Sequence, residues 1–262
     1  MRSTRLARWG PPIALVAVVV LGWEAYVRLA AIDPITLPAP TRVLGALWDF
    51  REVAVGHLVP TLFEAIVGCS LSVLLAIAAA IALDRWEPVR RAVEPLLVTS
   101  QTIPIVAIAP LFVIWFGFGL LPKVLIVVLI TFFPVTIALL DGFGRVEPEA
   151  MDLMRSMGAT ARETFRKLRW PAALPALFTG LRISVVYAVI GAIFGEYVGA
   201  TDGLGIWMKL SQNSFRTDLV FAAILLTAVV SVALYLAVGV VERALVPWSP
   251  DARRRRNEVE PA

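Results

Sequence analysis

The sequence has very little of what catalysis and covalent cross-linking require. Its 262 residues include one cysteine, Cys69, and one histidine, His57. A single cysteine excludes a disulfide within the chain and a metal site built from several cysteines. A single histidine leaves metal binding or His-based catalysis with almost no partner groups. We therefore interpret both residues as structural or incidental and expect no metal site in this chain.

Charged residues are scarce as well. They make up 17% of the chain, hydrophobic residues make up 59%, and the mean hydropathy is +0.80. Soluble domains are about one quarter charged, so this composition is typical of a membrane protein. The net charge of +4 would suit a nucleic-acid partner, but the basic residues cluster near the ends of apolar runs. That distribution indicates orientation in a membrane, and we expect no nucleic-acid partner.

Six apolar runs are long enough to cross a bilayer, which requires roughly 20 mainly apolar residues. The predicted spans are about 12–32, 61–84, 98–117, 120–141, 172–199 and 219–242. Prolines at positions 95, 104, 110 and 122 interrupt the region of the third span, so only part of it need be one regular helix. The sequence predicts an all-α membrane protein with six transmembrane helices, forming one domain over residues 1–262.

The distribution of lysine and arginine predicts the orientation. Most of the 24 basic residues fall on one side of the six spans, in the N-terminal tail, the 85–91 loop, the 145–171 loop and a basic tail at 250–262. Cytoplasmic loops carry the excess of positive charge, so both termini are predicted to be cytoplasmic. A cleaved signal peptide is the alternative for the N-terminus. It would leave an odd number of spans, and no clear small-x-small cleavage site follows the first apolar run.

The 145–171 loop carries apolar residues at helical spacing. On a helix of about 3.6 residues per turn, one side is apolar and the opposite side is basic. The apolar side contains Leu153, Met154, Met157, Ala161, Phe165 and Leu168, and the basic side contains Arg155, Arg162, Arg166 and Arg169. Gly158 predicts a bend between two short helices. Periodicity alone leaves two interpretations, an amphipathic helix on the lipid surface or a docking surface for a soluble partner.

The spacing within this loop is more specific than its periodicity. Asp152-Leu153-Met154 is followed by three residues, Gly158, nine residues, Leu168, one residue and Trp170-Pro171. This order resembles the E-A-A, three residues, G, nine residues, I, one residue, L-P loop of permease subunits of binding-protein-dependent ATP-binding-cassette (ABC) importers. Leu153-Met154 and Trp170 depart from that pattern. The resemblance extends over nearly all of the chain, through LPAPTRVLGALW (37–48), PAALPALFTGLR (171–182) and GEYVGATDGLG (195–205).

The resemblance implies a type I ABC importer permease fold and a role for the loop. The loop would be the coupling helix, which lies in a cleft of a separate cytoplasmic ATPase and transmits its closure to the spans. The coupling residues implied are Asp152, Leu153, Met154, Met157, Gly158, Ala159 and Phe165. The sequence has no G-x-x-x-x-G-K-[ST] phosphate-binding loop. We therefore expect a transport subunit that is not an enzyme and binds no cofactor, with ATP hydrolysed on the partner subunit.

The resemblance also implies the other partners and the location. They are a second permease copy in a homodimer and a periplasmic or lipid-anchored substrate-binding protein, with the chain multi-pass in a bacterial inner membrane. LMRSMGA (153–159), SQTIPIVAIAPLFVIWFGFG (100–119) and SFRTDLVFAAI (214–224) resemble the branch that imports thiamine pyrimidine precursors. Riboflavin importers and sulfonate, taurine or nitrate importers are the alternatives. A secondary transporter or channel that works without ATP is the alternative of another class.

Three polar residues are candidates for the substrate path. Gln101 and Thr102 stand beside Pro104 in the proline-interrupted span, where a broken helix exposes polar groups. Hydrogen bonds between helices are the alternative for both. Glu196 is a carboxylate near the end of a span, where such groups are costly and often functional. Its alternatives are an ion pair with Arg216 or a cap on the turn that follows it.

Overall fold

Helices account for all the regular secondary structure of the described chain. The computed structural model describes the backbone of residues 4–248 and the side chains of residues 10–248; the predicted basic tail at 250–262 lies outside this range. The helices are α1 (Thr4–Leu29), α2 (Pro40–Asp49), α3 (Arg51–Arg85), α4 (Glu87–Ser100), α5 (Ile105–Phe116), α6 (Leu120–Gly144), α7 (Pro148–Ser156), α8 (Ala161–Thr164), α9 (Trp170–Gly199), α10 (Leu204–Asn213) and α11 (Thr217–Leu245). A π-helical turn, Phe165–Arg169, joins α8 to α9. The predicted all-α class is confirmed.

Five helical segments within residues 4–248 are long and apolar enough to cross a membrane. They are α1 from residue 10, α3, α6, α11 and the segment that ends with α9. A sixth candidate consists of α4 and α5, which are bent by 96° relative to each other. Pro104 precedes α5 in an extended conformation and disfavours helix at the residue before it. The predicted span at 98–117 is therefore not one helix, because helix resumes only at Ile105.

The other predicted spans differ from the structure mainly at their ends. α6, α9 and α11 exceed the predictions by up to three residues at an end, whereas α3 begins at Arg51 instead of residue 61. The polar residues before position 61 lie within α3, where the side chains of His57 and Thr61 accept hydrogen bonds from the backbone amides of Gly203 and Leu204. α1 ends at Leu29 instead of residue 32, shortly before a turn in which Ile35 N donates to the Asp33 carboxylate.

Three long helices, α3, α6 and α9, form the centre of the bundle, and glycines let them approach closely. A Cβ on Gly68 of α3 would lie 2.6 Å from the Val127 side chain of α6. On α9, a Cβ on Gly180 would lie 2.8 Å from Ala138. Small residues at such contacts are typical of helix packing in membranes, where lipid supplies no hydrophobic force between helices.

The long helices give the bundle two ends. The loop end carries α7 and α8, the last residues of α3, α6 and α11, and the first residues of α9. The opposite end, called the α10 end, carries α2, α10 and the first residues of α3, α6 and α11. α3 runs without interruption from one end to the other.

Candidate functional site

The loop between α6 and α9 is built as two short helices with a defined joint. At the end of α7, Gly158 N donates to Arg155 O (2.9 Å) and Ala159 N donates to Met154 O (3.0 Å). This pair of bonds is a Schellman motif, which requires a left-handed residue after the helix. Gly158 has φ +76° and fulfils that requirement. The predicted bend at Gly158 is confirmed.

The second helix of the loop begins with a capping box. Glu163 N donates to Thr160 Oγ1 (3.3 Å), and Thr160 N donates to Glu163 Oε2 (3.0 Å). This arrangement satisfies two backbone donors at the start of α8. Because a helix ends at Ser156 and the next starts at Ala161, the apolar residues predicted to share one side do not lie on one continuous helix.

The residues of the predicted coupling site differ in exposure. Leu153 and Met157 are 61% and 73% exposed, and Asp152 and Gly158 are exposed beside them. Met154 and Ala159 are half-buried. Exposed large apolar side chains on a short helix outside the spans are typical of a docking surface. The tip of the loop therefore presents an apolar surface that the bundle does not cover.

Phe165 lies where the loop joins the bundle and not at the tip of the loop. Its ring centroid lies 5.6 Å from that of Phe143 on α6 and 6.2 Å from that of Trp170 on α9. Aromatic pairs at these distances stabilise packing beyond the area they bury. Phe165 holds the loop against the bundle, so its predicted contact with an ATPase stays a prediction.

The loop also carries exposed basic side chains. Arg155, Arg162, Arg166 and Lys167 are exposed; Arg155 pairs with Asp152 (3.1 Å) and Lys167 with Glu163 (3.2 Å). Exposed pairs of this kind contribute little to stability, roughly 0–1 kcal/mol. The shape of the loop is therefore determined mainly by the Schellman motif, the capping box and the aromatic contacts, and little by these ion pairs.

Gln101 and Thr102 lie at the break between α4 and α5, on a cavity of about 590 Å³. The cavity is lined mainly by apolar residues of α5, α6 and α9, among them Ile108, Phe133 and Tyr187. Ile130 and Phe133 lie near the middle of α6, so the cavity sits at mid-height of the bundle. Broken helices at this depth are tolerated where they border protein or a water-filled space.

Glu196 is not among the residues that line that cavity; it lies at the α10 end and is wholly buried. Its carboxylate accepts hydrogen bonds from Thr61 Oγ1 (2.6 Å) and from Gly205 N (2.7 Å). The predicted cap on the following turn is confirmed, because Gly205 belongs to the first turn of α10. The alternative pairing with Arg216 is wrong: Arg216 pairs with Asp218 (2.9 Å).

Ion pairs between distant, mostly buried side chains were not predicted from the sequence, among them Arg182 of α9 with Glu242 of α11 and two pairs that involve acidic residues of α3. At the α10 end, Lys123 of α6 pairs with Glu64 of α3. At the loop end, Arg169 pairs with Asp84 through two contacts of 2.7 Å. Both acidic residues terminate apolar runs in the sequence, which marks them as boundary charges but does not indicate their partners. Among the described residues, no group of three or more His, Cys, Asp or Glu side chains is arranged to hold a metal ion.

Comparison with known proteins identifies a family and several relatives for this chain. Residues 72–247 match the family described as binding-protein-dependent transport system inner membrane component. The formylaminopyrimidine transport permease ThiX of Halalkalibacterium halodurans is 40% identical over 227 residues, covering 86% of this chain and 90% of that protein. The riboflavin transport system permease RibX of Chloroflexus aurantiacus is 34% identical over 253 residues, covering 95% and 94%.

The fold has a counterpart among solved structures. An inward-facing MetNI methionine ABC transporter contains a chain that matches with a TM-score of 0.66, covering 75% of this chain and 97% of that one. The two sequences are 19% identical over the match, a level at which the likeness concerns the fold alone.

Proposed function

Because the chain belongs to the family of binding-protein-dependent transport system inner membrane components, we propose that it carries a thiamine pyrimidine precursor across the inner membrane. Family membership makes it a multi-pass permease of an ABC importer, as the sequence predicted. The observation that supports this choice of substrate is the 40% identity to a formylaminopyrimidine permease along 86% of the chain. Energy comes from a separate ATPase, and this chain itself binds no cofactor.

The loop tip is the part that contacts the ATPase. Leu153 and Met157 are exposed on α7, next to Gly158 at the joint. An apolar helical surface on a basic loop fits a groove on a soluble partner. The concentration of lysine and arginine at this end supports a cytoplasmic position for it, and with it cytoplasmic termini. The edges of this contact with the ATPase are formed by Asp152, Met154 and Ala159.

The substrate path runs along the cavity at the break between α4 and α5. Gln101, Thr102 and Ile103 are exposed at this break, so the cavity opens on the surface of the single chain. A second copy packed against the same face would enclose it between two chains, since closed two-fold pairs use the same surface twice. A homodimer is therefore the assembly we propose, with a periplasmic or lipid-anchored binding protein delivering the substrate.

The purified chain alone is expected to show no ATP hydrolysis, because its sequence lacks a phosphate-binding loop. Adding the ABC ATPase of the same importer should yield a stable complex that hydrolyses ATP. Phosphate release and size-exclusion chromatography measure the two results. Hydrolysis by the chain alone would contradict the division of labour proposed here.

Deleting the gene for this chain from a strain that depends on an external pyrimidine precursor is expected to stop growth on low formylaminopyrimidine. Growth should return when the wild-type gene is supplied on a plasmid or when thiamine is added. Uptake of radiolabelled precursor, riboflavin and taurine by the same cells separates the candidate substrates. Unchanged precursor uptake with lost riboflavin or taurine uptake would assign the chain to a neighbouring branch.

A further inference from the structure

Arg169 and Asp84 form a two-bond ion pair, called the fork, that attaches the loop to α3. We propose that Arg169 is a positioning residue that transmits the movement of α7 and α8 to α3. The backbone connects α3 directly to α2 and α4, but not to α7 or α8. Arg169, the residue before α9, bridges this gap by pairing with Asp84 near the end of α3. The proposal rests on the coupling function proposed above and names the route that coupling takes into the bundle.

The fork has a fixed geometry. Arg169 Nη1 lies 2.7 Å from Asp84 Oδ2, and Nη2 donates to Asp84 Oδ1 over 2.7 Å. Two parallel bonds between a guanidinium and a carboxylate fix orientation as well as distance. The Asp84 side chain is only 7% exposed, and that of Arg169 is 25% exposed. This pair therefore fixes the orientation of the Arg169 side chain relative to α3, which the exposed pairs on the loop do not do.

The same guanidinium also contacts α6. Its central carbon lies 5.8 Å from the centroid of the Phe143 ring, and Nη2 donates to the Phe143 carbonyl oxygen over 3.4 Å. Phe143 is in the last turn of α6, where carbonyl groups lack helical partners. One side chain thus joins the loop, the end of α3 and the end of α6.

The backbone that carries Arg169 is unusual. Phe165–Arg169 forms a π-helical turn between α8 and α9. Such wide turns are rare and occur frequently at functional sites. The rings of Phe165 and Trp170, at the two edges of this turn, pack against Phe143. The turn places Arg169 so that it moves with the loop while its side chain reaches α3.

α3 extends this connection to the α10 end. Asp84 and Glu64 are separated by 20 residues of uninterrupted helix, roughly 30 Å at 1.5 Å per residue. There Glu64 pairs with Lys123 of α6, and Thr61 donates to Glu196 of α9. Thr61 also accepts from Leu204 N at the start of α10 (2.8 Å). A displacement of Asp84 along the helix therefore reaches groups that hold α6, α9 and α10 together.

The experiment uses the complex of this chain with its ATPase and binding protein, reconstituted in liposomes. Asp84→Asn removes the negative charge of the pair, and Arg169→Lys keeps the positive charge but removes the two-bond geometry; both retain similar volume. We expect both complexes to assemble and hydrolyse ATP, with substrate transported per ATP reduced about fivefold or more, the usual range of coupling between sites. Exchange of the two charges, Asp84→Arg with Arg169→Asp, should recover a part of the loss.

Arg91→Gln is the matched control. It removes an ion pair with Glu87 at the same end of the bundle, in which both side chains are more than two-thirds exposed. Exposed pairs contribute little, so transport per ATP should stay within about twofold of wild type. Wild-type transport per ATP in both Asp84→Asn and Arg169→Lys would overturn the role of Arg169. Failure of the wild-type chain to bind the ATPase would instead overturn the coupling function.

A second measurement leaves Asp84 and Arg169 in place and does not depend on the folding of the fork variants. Nitroxide labels at the exposed positions Arg162 and Leu74 report the loop and α3, and a label at exposed Val16 reports α1. Cys69 is buried and is not expected to be labelled. Trapping nucleotide on the ATPase should change the Arg162–Val16 distance and leave the Arg162–Leu74 distance nearly constant. Equal changes in both distances would overturn the proposal.

Discussion

Gly158→Asp is expected to abolish uptake while the chain still inserts into the membrane. Gly158 has φ +76°, a left-handed conformation that costs most residues roughly 1–2 kcal/mol and costs aspartate or asparagine less. No atom lies within 4 Å of the position of a Cβ, so the substitution strains the loop and not the bundle. The new carboxylate would also stand beside the exposed apolar tip. Docking of the tip would bury this charge without a partner, which costs roughly several kcal/mol; since about 1.4 kcal/mol is tenfold in affinity, we expect at least tenfold weaker binding of the ATPase.

Two further variants separate backbone strain from charge. Gly158→Asn supplies a side chain of similar size and similar tolerance of the left-handed conformation, but without charge, and its uptake should be intermediate. Gly144→Ala replaces a helical glycine at the end of α6, where a Cβ again meets nothing within 4 Å, and should transport like wild type. Uptake is measured beside chain abundance in membranes and co-purification of the ATPase. Normal uptake by Gly158→Asp at equal abundance would count against docking through this loop.

Local signals in the sequence predicted most of the helices and the bend in the loop. Apolar run length determines where a helix can cross a bilayer, and this rule located α6, α9 and α11 closely. Glycine and proline act through their own backbone, so Gly158 and Pro104 could be interpreted without knowing their neighbours. The third span was the least accurate prediction because four prolines allow several helix ends, and only packing selects one.

Contacts between residues far apart in the chain could not be predicted from the sequence. Asp84 and Arg169 are 85 positions apart, and Thr61 and Glu196 are 135 positions apart. Which faces of α3, α6 and α9 meet depends on the glycines that let these helices approach, and on the rotation that this packing imposes. Periodicity likewise placed Phe165 on the apolar side of the loop. It could not indicate that the bundle, and not the solvent, covers that side chain.

Glu196→Leu is expected to destabilise the α10 end more than any other single polar replacement considered for the substrate path. The carboxylate is fully buried and accepts from Thr61 Oγ1 and Gly205 N. Leucine has nearly the same volume but accepts no hydrogen bond, so the Gly205 amide is left buried without its acceptor. An unsatisfied buried group of this kind costs roughly 1–3 kcal/mol, and the loss of two such bonds should add. Thermal melting of the detergent-solubilised chain, followed by size-exclusion chromatography, measures the change.

Glu196→Gln distinguishes a structural role from contact with the substrate. The glutamine side chain keeps one carbonyl acceptor, which can serve Gly205 N, so the melting temperature should fall less than in Glu196→Leu. If Glu196 only holds α10 against α3 and α9, uptake by the glutamine variant should follow the amount of folded chain, with an unchanged concentration for half-maximal uptake. If Glu196 instead binds substrate, glutamine would raise that concentration without lowering the melting temperature. The burial of Glu196, and its absence from the lining of the cavity at Gln101 and Thr102, favour the first result.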